Sequence, residues 1–262
     1  MTPVSSLIEE TDDKVRILRL NRPATMNALD TELVGVLSAA LGRARDDASV
    51  RAVLLTGEGG SFCSGADLKE ALATLGQGVS LGERVLPFQE NIRIIASTPK
   101  PVVAAVDGAA VGFGADLALA CDLRVLSDRA YLQEKFVGIG LMPDGGATFF
   151  LPRLVGVGRA LELLLLGEKI EAARALELGL ANRVVAPDAL LGEALALCRR
   201  LAEGPPLALA RIKSATRAAL SSTLDEALTR EATGQGELLR SADLAEGVGA
   251  WAARRKASFQ GR

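Results

Sequence analysis

Three short apolar runs, AVLLTG (52–57), PVVAAV (101–106) and DLRVLS (122–127), punctuate the first half of the chain, with turn-forming or helical stretches between them. Runs of five or six such residues are too short for buried helices and suit strands covered on both faces. Strands alternating with helices in this way restrict the chain to an α/β layer fold. Ahead of them, KVRILRL (14–20) alternates polar and apolar residues as a half-buried strand does. NRPATMNAL leads from it toward a helix with Asp30 as its N-cap, in which Leu33, Leu37 and Leu41 recur at helical spacing. ERVLPFQENIRIIAS supplies another helix before PVVAAV.

From about residue 150 the strand signals fade. GRALELLLLG, EAARALELGL, ALLGEALALCRRLAE and PPLALARIKSATRAAL read as helices, and a last helix opens on a Thr223 to Glu226 capping box and runs through GAWAARRK. ANRVVAP offers at most one short strand. Pro205 and Pro206 mark the boundary between a unit at 1–204 and a helical segment at 205–262. A chain of 262 residues suits one large α/β unit with such an appendage.

The chain contains no histidine. Ser-His-Asp and Cys-His nucleophilic machinery and the usual His-containing zinc sites are thereby excluded within it. Acid/base chemistry near neutral pH falls to carboxylates, lysines, cysteines or the single tyrosine, Tyr131. A net charge of −2 and 3% aromatic residues offer neither a basic field for nucleic acid or anionic lipid nor stacking platforms for RNA. The N-terminal stretch MTPVSSLIEETDDKVRILRL lacks the apolar core of a signal peptide, and the longest apolar stretch is broken by Asp107, Asp116 and glycines. Cys63, Cys121 and Cys198 are odd in number and widely spaced. A cytoplasmic protein with reduced thiols, no membrane span and no nucleic-acid partner is the expectation.

Glycine concentrates in three loops, GEGGSFCSGADL (57–68), DGAAVGFGADLALACD (107–122) and GIGLMPDGGATFF (138–150). VGFGAD is not a dinucleotide fingerprint, because Leu117 stands where the third glycine belongs. Glycine also lets backbone N–H groups approach a ligand, and two facing turns can aim donors at one carbonyl oxygen. SGAD and GFGAD each lead from a short strand toward a helix N-terminus, which favours negative charge. Asp144 lies among glycines and apolar residues in the third loop, where it reads either as a turn or N-cap residue or as an acid in a dry site.

NRPATMNAL, SFCSGADLKE, VDGAAVGFGADLALACDLRV and IGLMPDGGATFFLPRLVG resemble, in order and spacing, the successive motifs of the crotonase, or enoyl-CoA hydratase/isomerase, superfamily. The resemblance implies a ββα spiral followed by a C-terminal helical trimerisation region, assembled as a homotrimer or a dimer of trimers. It implies an acyl-CoA thioester substrate, no metal and no cofactor beyond the coenzyme A moiety. The N–H groups that hold the thioester oxygen in the family fall on Ala66 and Phe113. The family commonly has glycine at the second place, and the Phe113 ring is expected to narrow the acyl pocket. Ala24, Met26, Ala28, Ser64, Ala66, Asp67 and Leu68 match the stretches that enclose the adenine and pantetheine arms, and Lys256 resembles a basic tail residue that reaches coenzyme A phosphates. A solvated helix end accounts equally well for Lys256.

Hydratases of the family use two glutamates, at the positions held here by Asp116 and Phe136, so one acid is shortened and the other is absent. Asp144 matches the aspartate of some isomerases of the family, those of phenylacetate degradation among them. A shift from 3-enoyl to 2-enoyl needs one base that removes a proton at C2 and returns it at C4, and burial among Gly145, Gly146, Phe149 and Phe150 would strengthen Asp144 in that task. Enoyl-CoA isomerisation with Asp144 as proton shuttle is therefore the first expectation. Hydration by Asp116 with Asp144 is the second, and a non-catalytic acyl-CoA- or RNA-binding relative the third. Asp116 can alternatively cap its own helix at GADLAL, Glu134 is expected in a solvated pair with Lys135, and Cys63 is expected to pack rather than react.

Overall fold

The computed structural model describes residues 5–73 and 81–262; MTPV at the start of the N-terminal stretch lies outside them. β1 (Leu7–Asp12) and β2 (Val15–Leu20) form an antiparallel hairpin, paired from Leu7↔Leu20 to Asp12↔Val15. β1 is an unexpected strand. Its sequence LIEETD does not alternate, and it is held by the ladder to β2 rather than by its own pattern. α1 (Thr31–Asp46) starts at Asp30, whose carboxylate accepts the Leu33 N–H at 2.8 Å. β3 (Ala52–Gly57), α2 (Leu68–Ala73), α3 (Leu81–Ser97) and β4 (Val102–Val106) follow. Then come β5 (Ala109–Val111), α4 (Phe113–Ala120), β6 (Leu123–Ser127), β7 (Tyr131–Gln133), α5 (Ala147–Val155) and α6 (Val157–Leu166). The remainder is β8 (Ile170–Glu171), α7 (Ala172–Glu177), β9 (Arg183–Val185), α8 (Leu190–Ala202), α9 (Pro206–Ala219), α10 (Leu224–Leu238) and α11 (Ala242–Ala252).

The described residues build a six-stranded sheet in the order β1-β2-β3-β4-β6-β9, parallel except for β1. Alternation sends Ile17, Leu54, Val103 and Val125 to one face, where Leu190, Ala194 and Cys198 of α8 cover them. Leu18, Leu55 and Ala104 point to the other face, against Leu33, Leu37 and Leu41 of α1. A smaller sheet, β5-β7-β8, packs beyond that face. Its two- and three-residue strands are too short to register as a period in the sequence.

Three times the chain passes from the large sheet into the row of the small one and on to a helix. It does so from β3 through a bridge at Cys63 to α2, from β4 through β5 to α4, and from β6 through β7 to α5. These are the ββα units of the expected spiral. The C-terminal helices depart from expectation in one respect: the last is two, broken at Leu239–Ser241, where the Ser241 hydroxyl caps α11 by accepting the Leu244 N–H. The capping box at Thr223 and Glu226 forms with both its hydrogen bonds. No helix among the described residues is long and apolar enough to cross a membrane.

α9 is tied to the sheet by charge. Lys213, nearly buried, pairs with Asp122 at 2.7 Å and donates to the carbonyls of Ile95 and Lys100, both at 3.0 Å. Arg217 reaches Asp122 and the Ala120 carbonyl, both at 2.7 Å, and Asp122 also accepts the Val102 N–H at 2.8 Å. Removing one partner of such a pair leaves the other charge buried and unpaired. Asp122→Ala is expected to lose about 3 kcal/mol of unfolding free energy and to expose α9 to protease, read by urea denaturation and limited proteolysis.

Candidate active site

Two glycine-rich loops run side by side. Cys63 and Ala110 form a parallel bridge in which the Cys63 N–H donates to the Ala109 carbonyl and the Val111 N–H to the Cys63 carbonyl, both at 2.9 Å. Carried three residues on, this register sets Ala66 beside Phe113. Two glycines permit the approach. Gly65 sits at φ +92°, where a Cβ would lie 2.7 Å from the Val111 carbonyl oxygen and 3.4 Å from the Phe113 nitrogen. A Cβ on Gly114 would collide with the Cys63 carbonyl. Phe113 opens α4, so its N–H has no acceptor in the helix, and neither it nor the Ala66 N–H finds an acceptor among the described residues. The Phe113 ring is 2% exposed and packs edge-on to Phe88 of α3, 5.2 Å between centroids.

The first loop is stitched to residues 22–30. The Ser64 N–H donates to the Met26 carbonyl, the Ser64 hydroxyl to the Thr25 carbonyl, the Leu29 N–H to the Gly65 carbonyl and the Asp67 N–H to the Leu29 carbonyl. Arg22 joins Asp30 at 3.0 Å and Asp67 at 3.1 Å. Ala24, Met26 and Ala28 thereby share one surface region with Ser64, Ala66, Asp67 and Leu68; Ala24, Met26, Ala66 and Leu68 are exposed, and Ala28 is buried. The pin of this stitching is Asn27, which the sequence reading passed over. It is fully buried at φ +57°, donates to the Glu58 and Ser61 carbonyls and accepts the Arg22 N–H. An asparagine inside a loop, a residue tolerant of left-handed backbone, was the available signal.

Lys256 is not brought to this region within the chain. Its ammonium pairs with Glu203 at 2.7 Å, and the nearby Gln260 carbonyl accepts from Arg51 at 3.1 Å. Arg51 precedes β3, so the tail lies at the end of the parallel strands opposite the loops that follow β2 and β3.

Three carboxyls converge behind the loops. Asp116 is fully buried in α4, its Oδ1 accepts the N–H of Ala147 at 2.6 Å, and the nearby Gly145 N–H also favours its charged form. Asp116 therefore caps α5, not its own helix. Asp144 does not cap α5 either, since the N-cap residue is Gly146, at φ +102°. A Cβ on Gly145 would lie 2.6 Å from Asp116 Oδ2. Burial pushes the Asp116 carboxyl up to about 8, the charge of Asp144 adds to the rise, and the two N–H groups oppose it.

Asp144 is half-buried, and its carbonyl accepts from Gln89 of α3 at 2.9 Å, a contact with no sequence signal. Burial raises its carboxyl above the ordinary aspartate range. The shielding differs from expectation: Phe150 is buried, but Phe149 is 45% exposed under the Arg153 guanidinium, 3.6 Å from its ring centroid.

Glu134 overturns the expected solvated pair. It is 2% exposed, and Lys135 is exposed without an ion pair among the described residues. Continuing the alternation of β7, in which Leu132 is buried, turns Glu134 inward as well. Burial, followed by the charges of Asp116 and then Asp144, pushes its carboxyl well above the ordinary glutamate range. Phe136, at the position of the family's second acid, is buried with its ring against Gly112. The Cys63 thiol is fully buried, and burial pushes it up to about 12, which suits packing.

The sequence profile of the enoyl-CoA hydratase/isomerase family matches residues 10–262. The chain belongs to the enoyl-CoA hydratase/isomerase family. A Rhodobacter capsulatus protein named "Probable enoyl-CoA hydratase" is 43% identical over 255 residues, 97% of each chain. The 1,2-epoxyphenylacetyl-CoA isomerase of Escherichia coli is 38% identical over 98% of each chain. The crystal structure of an enoyl-CoA hydratase from Polaromonas superposes with a TM-score of 0.93 at 34% identity, covering 97% of this chain and all of that one. The chain is thus an enzyme of the hydratase/isomerase type with a fold of the crotonase class.

The raised carboxyl of Asp116 has a consequence for the stability of this family member. The folded state binds the Asp116 proton more tightly than the unfolded chain, where the ordinary value is 3.8. Its contribution to stability is complete below that value and is lost as pH rises through the folded value of about 8. Asp116→Asn has no such proton to lose. Between about pH 5 and 9 the Tm of the wild type is expected to fall relative to that of Asp116→Asn by at least about 3 °C, measured by thermal melts across the pH range.

Proposed function

We propose that the enzyme acts on acyl-CoA thioesters and shifts the double bond of 3-enoyl-CoA to 2-enoyl-CoA. Removing a proton from C2 places enolate charge on the thioester oxygen, and the adjacent N–H groups of Ala66 and Phe113 are suited to receive it. A preorganised donor of this kind is worth about 3–4 kcal/mol. Asp144 would take the proton from C2 and return it at C4. One observation carries the choice: of the three converging carboxyls, Asp144 alone is only half-buried, while Asp116 and Glu134 are sealed. Ala24, Met26, Ala28, Ser64, Asp67 and Leu68 would line the coenzyme A path, and the reading calls for no cofactor beyond that moiety.

Hydration by Asp116 and Asp144 is the second reading, favoured by the names of the Rhodobacter and Polaromonas relatives. Against it, Asp116 is closed to solvent and its Oδ1 already accepts the Ala147 N–H. Steady-state kinetics on 3-enoyl-CoA and 2-enoyl-CoA separates the two. Asp144→Asn is expected to lower kcat for isomerisation by about 10²–10⁴ with KM little changed, and Asp116→Asn to do so far less. Equal losses of hydration in both variants would instead establish the two-acid hydratase. Full activity of a folded Asp144→Asn would remove Asp144 from the chemistry.

We further propose that residues 205–262 form an oligomerisation segment and that the enzyme is a homotrimer or a dimer of trimers. Leu224, Leu239, Val248 and Trp251 are 57–81% exposed, more apolar surface than a solvent-facing helical segment needs. A cleft of about 440 Å³ between α9 and α11 carries this apolar lining inward through Leu207 and Phe259. Light scattering at micromolar concentration is expected to give three or six chain masses; a monomer would overturn the assignment.

A further inference from the structure

Four carboxyl oxygens, Asp116 Oδ2, Asp144 Oδ1 and both of Glu134, are buried without a hydrogen-bond donor among the described residues. Ionised carboxylates only accept, so with all three groups charged these oxygens would stay unsatisfied and like charges would face one another. Among the described residues, the charged groups that raise the Glu134 carboxyl are Asp116 of α4 and Asp144 of the following loop, and no cation is among the groups that shift any of the three. Protons retained inside the cluster are the donors that resolve it.

Position decides which group holds its proton most firmly. β5 and β7 pair in parallel, Val111 opposite Gln133, and the Gly112 N–H donates to the Gln133 carbonyl at 2.8 Å. Glu134 therefore stands beside Gly112, one helical turn before Asp116, whose own N–H donates to the Gly112 carbonyl at 3.1 Å. Asp116 has two N–H donors that favour its charged form, and Asp144 has partial access to solvent. Glu134 has neither.

We propose that Glu134 is a positioning residue of this site, holding a proton that it donates as a hydrogen bond to Asp116 Oδ2. The pair then carries at most one negative charge behind Asp144 in place of two, which eases the ionisation of Asp144 at neutral pH so that it can serve as the base. This deepens the isomerase reading and rests on it for its effect on rate, but the proton on Glu134 does not.

Two measurements on Glu134→Gln, which keeps a neutral donor at the site, test the proposal. In infrared spectra at pH 7 the wild type should show the C=O stretch of a protonated carboxyl, weakened or lost in the variant. In kinetics on whichever of 3-enoyl-CoA and 2-enoyl-CoA the wild type converts, the variant's plateau kcat should change by less than about threefold. The alkaline limb, where the wild type loses the buried proton, should move up by at least about one pH unit. A structural role alone would leave that limb in place. Absence of the band from the wild type, an identical band in the variant, or superimposable pH profiles would each overturn the proposal. Wild-type inactivity on both thioesters would overturn the isomerase reading alone, since the infrared band needs no substrate; should the variant fail to fold, the band is expected to persist in Asp116→Asn, and its loss there would overturn the proposal.

Discussion

The close passage of backbone 63–66 along backbone 110–113 is the constraint on which the rest of the site depends. It requires Gly65 in left-handed backbone and Gly114 without a side chain, because any Cβ at either place meets a carbonyl of the opposite loop. The gain is a parallel bridge that leaves the Ala66 and Phe113 N–H groups adjacent and unpaired. Unpaired backbone donors are costly when sealed from water, so their persistence at the mouth of two loops marks a place suited to an oxygen ligand. Asn27 and Arg22 hold the outer side of the same arrangement, tying residues 22–30 to the first loop through the carbonyls of Glu58 and Ser61 and the carboxylate of Asp67.

The acids are organised by a capping interaction that crosses from one helix to the next. Asp116, in α4, accepts the first N–H of α5, that of Ala147, and so fixes the turn that carries Asp144. Gly145 must be glycine because its Cα approaches the Asp116 carboxylate. Gln89 steadies the turn from the other side through the Asp144 carbonyl. The proposed base thus stands on a loop whose backbone is held at both edges, while the residue itself is only half-buried. Such an arrangement positions a proton carrier without burying it completely, which is what a group that must ionise and touch substrate requires.

The last helices answer to a different requirement. α9 is anchored to the parallel sheet by Lys213 and Arg217 on Asp122, at the junction of α4 and β6, so the segment is fastened to its own chain. α10 and α11 keep large apolar side chains in solvent. Together these support the proposed oligomerisation segment, with its orientation fixed from behind.

The sequence by itself determined the elements that need only local information. The strands at 52–57, 102–106 and 123–127, the Asp30 cap and the Thr223 capping box follow from side-chain period and from hydrogen bonds spanning three residues. The ordered motifs also carried the family and placed Ala66, Phe113, Asp116 and Asp144 near one site. Only the tertiary structure decided what each acid faces. Asp116 caps the wrong helix for its sequence position, Glu134 turns inward although a lysine follows it, and one expected C-terminal helix breaks at Ser241. Lys256 ends up across the sheet from the residues it was grouped with. In each case the deciding partner lies far along the chain or across the sheet, where a periodic pattern carries no information and where burial, by removing water, converts a commonplace carboxyl into one that must find a proton or a donor.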